Sequence, residues 1–118
     1  MNEEDTAAQP PIEPGYYRAG NSLEVRAIDF KIDPATGKSP AKGNTKGLIA
    51  RGISLFNEKD FIKVQAKGIP YKVESVPSGL AIEQRGANPN HFEIVPQHPM
   101  TIDEYRTLLE QVVLIKVN

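Results

Sequence analysis

The sequence predicts a small α+β domain, a mostly antiparallel sheet of about five to seven strands carrying two helices. Three observations predict it. The run Tyr71-Lys72-Val73-Glu74-Ser75-Val76 alternates strictly, as a half-buried strand does. Leu80–Gln84 and His91–Val95 follow as short extended runs, separated by stretches rich in Pro, Gly, Ser and Asn. Thr101 followed by Glu104 fits a capping box, after which Tyr105, Leu108, Leu109, Val112 and Val113 recur at helical spacing.

Length and composition bound the rest. A chain of 118 residues suits one domain with one modest core. The net charge is -1 and the 14 basic residues are dispersed, with a loose cluster at Lys38, Lys42, Lys46 and Arg51. That is not the basic footprint of a general DNA binder, although a small anion needs only one or two well-placed cations. The absence of cysteine removes disulfides, thiolate nucleophiles and cysteine metal sites. His91 and His98 carry no metal-ligand spacing with a carboxylate, so no metal site is expected. No stretch approaches the roughly 20 apolar residues of a membrane helix, and Met1–Asp5 is acidic where a secretory signal would be basic. The chain is expected to be soluble, without a membrane partner.

Taken in order, residues 1–14 combine acids with Pro10, Pro11 and Pro14 and read as a disordered tail or linker, leaving 15–118 as the single domain. Gly15 to Gly20 brackets a first strand favoured by Tyr16 and Tyr17. Leu23 to Ile32 alternates and predicts one or two strands, closed by the turn signal Asp33-Pro34-Ala35-Thr36-Gly37. A long polar loop then runs to Gly47. Arg51 to Phe56 forms a central strand. Asn57 is placed to cap a short helix whose apolar face is Phe61, Ile62 and Val64, ended by Gly68 and Pro70. After the three strands already described, the final helix follows Thr101; its end, Val112 to Val117, either extends it or forms a closing strand.

The chemistry centres on Arg51-Gly52-Ile53-Ser54-Leu55-Phe56. In a strand, Ile53 and Leu55 face one side, Ser54 and Phe56 the other. A hydroxyl beside an aromatic there is either the floor of a pocket or part of an ordinary edge strand. Arg18 either forks onto a phosphate or carboxylate or is a solvated surface arginine. Ser54 lacks the flanking glycines of a nucleophile elbow, so a triad of Ser54, His91 and an acid has no local signature. Glu93 shares a face with His91 and Val95, and a strand glutamate is ordinarily solvated.

Together, Tyr17-Arg18-Ala19, Gly52-Ile53-Ser54-Leu55-Phe56, His91-Phe92-Glu93-Ile94-Val95-Pro96 and Pro99-Met100-Thr101 before a final helix resemble small bacterial ADP-ribosyltransferase-like toxin domains. This is the family found among type VI secretion effectors and at the C-termini of polymorphic toxins. The resemblance spans roughly residues 15 to 113 and is densest from His91 to Leu109. It implies a split two-sheet fold that binds NAD as a substrate, with Arg18, Ser54, His91 and an aromatic, Phe56 or Tyr17, at the NAD site. It implies Glu93 and Ser54 as the catalytic pair, the carboxylate stabilising an oxocarbenium-like transition state as nicotinamide departs. Glu83 and His91 are alternatives for that polar role, because the paired-acid motif of better-known members is missing. The resemblance further implies activity in a bacterial cytoplasm, release as part of a larger effector, and a cognate immunity protein. Two other readings follow from the missing motif and the basic cluster: a non-catalytic binding module of the same fold, and an RNA-directed toxin using Lys38, Lys42, Lys46 and Arg51.

Overall fold

A computed structural model describes residues 15–26, 29, 49 and 51–117. The expected tail 1–14, the polar loop from Asp33 to Gly47 and nearly all of the Ile28–Ile32 run lie outside the described residues. Six strands form one antiparallel sheet: β1 (Tyr16–Ala19), β2 (Ile53–Asn57), β3 (Pro70–Ser75), β4 (Leu80–Gln84), β5 (His91–Pro96) and β6 (Val113–Lys116). The order across the sheet is β4-β5-β2-β1-β3-β6. Hydrogen bonding runs continuously from edge to edge, in place of the two separate sheets implied by the resemblance. The continuity is thinnest between β1 and β2, which pair only at Tyr16↔Asn57 and Tyr17↔Phe56.

The two helices lie on opposite faces. A 3-10 turn, Glu58–Asp60, leads into α1 (Phe61–Lys67), and α2 spans Ile102–Leu109. Asn57 caps as expected, its side-chain oxygen accepting from the Lys59 amide at 3.0 Å, but it caps the 3-10 turn rather than the helix. Phe61 and Val64 pack with Tyr17 beneath α1, whereas Ile62 is 62% exposed and is not part of the expected apolar face. The reason is phase: Phe61 and Val64 lie one helical turn apart, and Ile62 points away from both.

On the other face, α2 lays Tyr105 and Leu109 over Ile53, Leu55 and Ile94. Each large side chain buried this way contributes roughly 1.5–3 kcal/mol. The capping box forms in full, with the Glu104 amide donating to Thr101 Oγ1 at 3.1 Å and the Thr101 amide donating to Glu104 Oε1 at 2.8 Å. Helix α2 stops at Leu109, so the closing-strand alternative holds for Val113–Lys116, which pairs with β3.

The expected strand beginning at Leu23 does not form: residues 22–26 have no regular structure. Their alternation is real in another sense. Leu23 and Val25 are half-buried against the core while Glu24 and Arg26 are exposed. The segment alternates in burial but has no ladder partner, and the Val25 carbonyl accepts from Arg106 Nη2 at 3.3 Å.

Candidate functional site

Register across the middle of the sheet assembles the site. Ser54 of β2 lies opposite Glu93 of β5, and Phe56 lies opposite His91. Alternation therefore puts all four side chains on the face that carries α1. Glu83 of β4 lies opposite Glu93 on its other side, extending the row to Glu83, Glu93 and Ser54.

Ser54 Oγ and His91 Nε2 are 2.8 Å apart. The other ring nitrogen, Nδ1, is 2.8 Å from the main-chain carbonyl of Arg85. A carbonyl only accepts, so Nδ1 carries a proton, and in the neutral form of the ring the Nε2 lone pair faces Ser54. The hydroxyl then donates to Nε2. The Phe56 ring packs against the imidazole at 5.3 Å between centroids, the two planes tilted by 59°.

Glu93 is 7% exposed. Its Oε1 accepts from the Gly52 amide at 2.8 Å and from Arg85 Nη1 at 2.9 Å, and its Oε2 lies 4.0 Å from His91 Nε2. Gly52 is required here by space: a Cβ on it would come within 2.5 Å of the Ile94 carbonyl oxygen and 3.3 Å of Glu93 Oε1. Arg85 also donates through Nη2 to the Ile49 carbonyl at 2.9 Å. One arginine thus holds Glu93 with its side chain and His91 with its main chain.

Arg18 reaches the site from β1. Its Nη1 donates to the Ser54 carbonyl and its Nη2 to the Ser22 carbonyl, each at 2.8 Å. Both partners are neutral, and among the described residues no carboxylate pairs with it. Its Nε is buried without a hydrogen-bond partner. Burial pushes the guanidinium below its ordinary value, yet an arginine remains charged. The result is a desolvated, uncompensated cation at the rim of a cleft of 140 Å³ lined by Arg18, Ala19, Ser54, Phe56, Val64 and Lys67. Lys67 Nζ stands 5.7 Å from the Phe56 ring centre and adds a second positive charge.

Arg18, Ser54, Phe56, His91 and Glu93 are therefore brought together. Tyr17 is not: it is fully buried, edge-on to Phe61 at 5.0 Å, and belongs to the core beneath α1. Of the two aromatics considered for a ligand ring, Phe56 is the one on the cleft wall. Arg51 is exposed, and the rest of its basic cluster, Lys38, Lys42 and Lys46, lies outside the described residues. No group of three or more His, Cys, Asp or Glu suited to a metal occurs among the described residues.

Sequence reasoning missed Arg85, Lys67 and the tight approach at Gly52. Arg85 was detectable in part: it lies in phase with Glu83, just beyond β4, in the hairpin that returns as His91. Lys67 had no signal, because a lysine in the last turn of a helix is the ordinary complement to the helix dipole. Comparison with family models, with curated proteins and with solved structures returned no match.

Proposed function

We propose that the chain is an NAD-dependent ADP-ribosyltransferase toxin domain acting on an intracellular bacterial target. One observation carries the reading: Arg18, Ser54 and Glu93, far apart in sequence, stand on the neighbouring strands β1, β2 and β5, and Arg18 and Ser54 line a cleft walled by Phe56. A cleft of 140 Å³ is close to the ~150 Å³ that admits a benzene ring, so it suits a nicotinamide-sized group and not a whole dinucleotide. The remainder of NAD would run over the open face, where Arg18 and Lys67 supply positive charge for its phosphates.

In the transfer, the bond between ribose C1′ and the nicotinamide nitrogen breaks. The nitrogen keeps the electron pair and positive charge builds on the ribose. An acceptor lone pair then bonds to C1′ and the acceptor releases a proton. Glu93 supplies the carboxylate for the ribose, and Ser54, fixed by His91, orders its hydroxyls. A cognate immunity protein would act by covering this cleft.

A second reading, a binding module without turnover, is favoured by a different observation. Glu93 Oε1 is already occupied by Arg85 and Gly52, which leaves only Oε2 for chemistry. The test is release of nicotinamide from NAD by the purified chain, alongside growth on inducible expression in bacteria. Release and growth arrest, both cut by roughly 100-fold or more in Ser54→Ala, would support the transferase. Saturable NAD binding without release would favour the module. Neither binding nor release from a folded chain would overturn both.

A further inference from the structure

We infer that Ser54 is an activated nucleophile with His91 as its general base, able to take a small acyl group from an ester. The inference rests on the geometry of Ser54, His91, Arg85 and Glu93 and on the cleft that Ser54 lines, and goes beyond the NAD reading. A serine hydroxyl becomes a nucleophile when a base accepts its proton and a third group fixes that base's tautomer. All three parts are present. Ser54 Oγ lies 2.8 Å from His91 Nε2, and His91 Nδ1 is tied at 2.8 Å to the Arg85 carbonyl. The carbonyl fixes the tautomer but brings no negative charge. That charge comes from Glu93, whose Oε2 is 4.0 Å from Nε2 and opposes the imidazolium formed on proton transfer. Arg85 in turn fixes Glu93 at 2.9 Å, so one residue positions both partners of the base.

The electrophile's surroundings are also set. Ser54 lines the 140 Å³ cleft whose walls are Phe56, Val64 and Ala19 and whose cations are Arg18 and Lys67. The volume suits a short acyl chain, and the cations favour the oxyanion of a tetrahedral intermediate. Ser54 Oγ bonds to the carbonyl carbon while its proton passes to His91 Nε2. The C–O bond to the leaving group breaks, and the departing alkoxide takes that proton. Water then attacks the acyl-serine, gives its proton to Nε2, and releases the acid as Oγ is reprotonated. The sum is ester plus water to acid plus alcohol.

The test uses the full chain and two probes, neither of which contains NAD. The first is an alkyl fluorophosphonate, with which Oγ–P forms, P–F breaks, fluoride leaves and the proton goes to His91. Intact-mass and peptide analysis should show a single adduct at Ser54. The second is p-nitrophenyl acetate, which should give acetyl-Ser54 and turnover. Labelling should vanish in Ser54→Ala and fall about 100-fold or more in His91→Gln, the ordinary contribution of a general base. Circular dichroism establishes that each variant is folded. If His91→Gln does not fold, the wild-type rate decides: Ser54 must react at least about 100-fold faster than the other serines of the same chain. No adduct on the folded wild type, an adduct at another residue, or equal labelling of Ser54 with and without His91 would overturn the inference. Loss of nicotinamide release with labelling intact would count only against the NAD reading.

Discussion

Replacing Glu93 with Gln changes almost no volume and removes one charge, so it isolates what the carboxylate does for the fold. Glu93 is 7% exposed and the Arg85 side chain 13%. Oε1 accepts the Gly52 amide at 2.8 Å and Arg85 Nη1 at 2.9 Å. An amide oxygen can still receive Gly52, but the guanidinium loses the Glu93 carboxylate at 2.9 Å and keeps the neutral Ile49 carbonyl. A charge-assisted hydrogen bond of this kind is worth about 1.5–3 kcal/mol. Removing one partner of a buried pair outright costs about 3–5 kcal/mol, which is the expectation for Glu93→Ala. Glu93→Gln should therefore cost about 2 kcal/mol, a large share of the roughly 5–15 kcal/mol of an ordinary domain. With a urea m-value of about 1–3 kcal/mol per molar, the midpoint should fall by around 1 M. Far-UV circular dichroism is the readout, because the chain has no tryptophan. Pairing the change with Arg85→Met should recover part of the loss, since the two residues share one interaction. A Glu93→Gln midpoint equal to wild type would refute the reasoning. It would mean the carboxylate is not held by Arg85 in solution and its charge is free for other work.

Three further outcomes are expected. Tyr105 donates to the Ile94 carbonyl at 2.7 Å in the core, and burial raises its phenol far above the ordinary value, so it remains a donor wherever the protein folds. Tyr105→Phe should then cost about 1–2 kcal/mol, read as a lowered Tm; an unchanged Tm would show that the bond contributes nothing net. Gly52→Ala would press a Cβ to 2.5 Å from the Ile94 oxygen and 3.0 Å from Val95 Cγ1, so it should destabilise by about 1–3 kcal/mol, whereas Gly68→Ala, whose nearest neighbour is Ala19 Cβ at 3.5 Å, meets no such clash. Asp60 is held below its ordinary value, first by the Asn88 amide at 2.9 Å and then by Lys63 and Asn90. Its stabilisation is complete above the unfolded value near pH ~3.9 and disappears as pH falls through the lower folded value. Asp60→Asn should flatten that acid limb of a stability-against-pH curve, and an unaltered limb would remove Asp60 as its source.

How much was legible depends on what kind of information each feature needs. The capping box at Thr101 and Glu104 and the strand Leu80–Gln84 were readable because local spacing alone specifies them. The Leu23–Arg26 segment misled because period-two alternation reports an extended amphipathic chain, and only a neighbour's free edge makes it a strand. Candidate site residues on β1, β2 and β5 were readable one at a time as strand positions. Their convergence depends on the order β5-β2-β1, which is long-range. Tyr17 shows the limit most clearly. A tyrosine in a first strand looks the same in sequence whether it walls a cleft or fills a core, and here α1 covers it.

The cleft itself follows from a break in the ladder that no pattern of side chains encodes. Beyond Tyr17↔Phe56, β1 and β2 no longer pair, and Gly20, at φ 84°, takes the left-handed conformation that ends β1. The Ser54 carbonyl would then face the gap without a backbone donor. Arg18 fills that place, giving one Nη to Ser54 and the other to Ser22. A side chain thus replaces a strand amide, at the cost of burying a cation whose charge nothing in the described structure neutralises. A shorter neutral donor would avoid that cost but would reach at most one of the two carbonyls. The choice of arginine makes sense where its remaining donors have an anion to meet, and that links the local splitting of the sheet to ligand binding at the same point. Arg18→Gln removes the charge but is too short to span both carbonyls, so circular dichroism first establishes that it folds; the folded variant should lose anion affinity, and one that binds NAD or phosphate as wild type does would leave Arg18 as a strut between strands and nothing more.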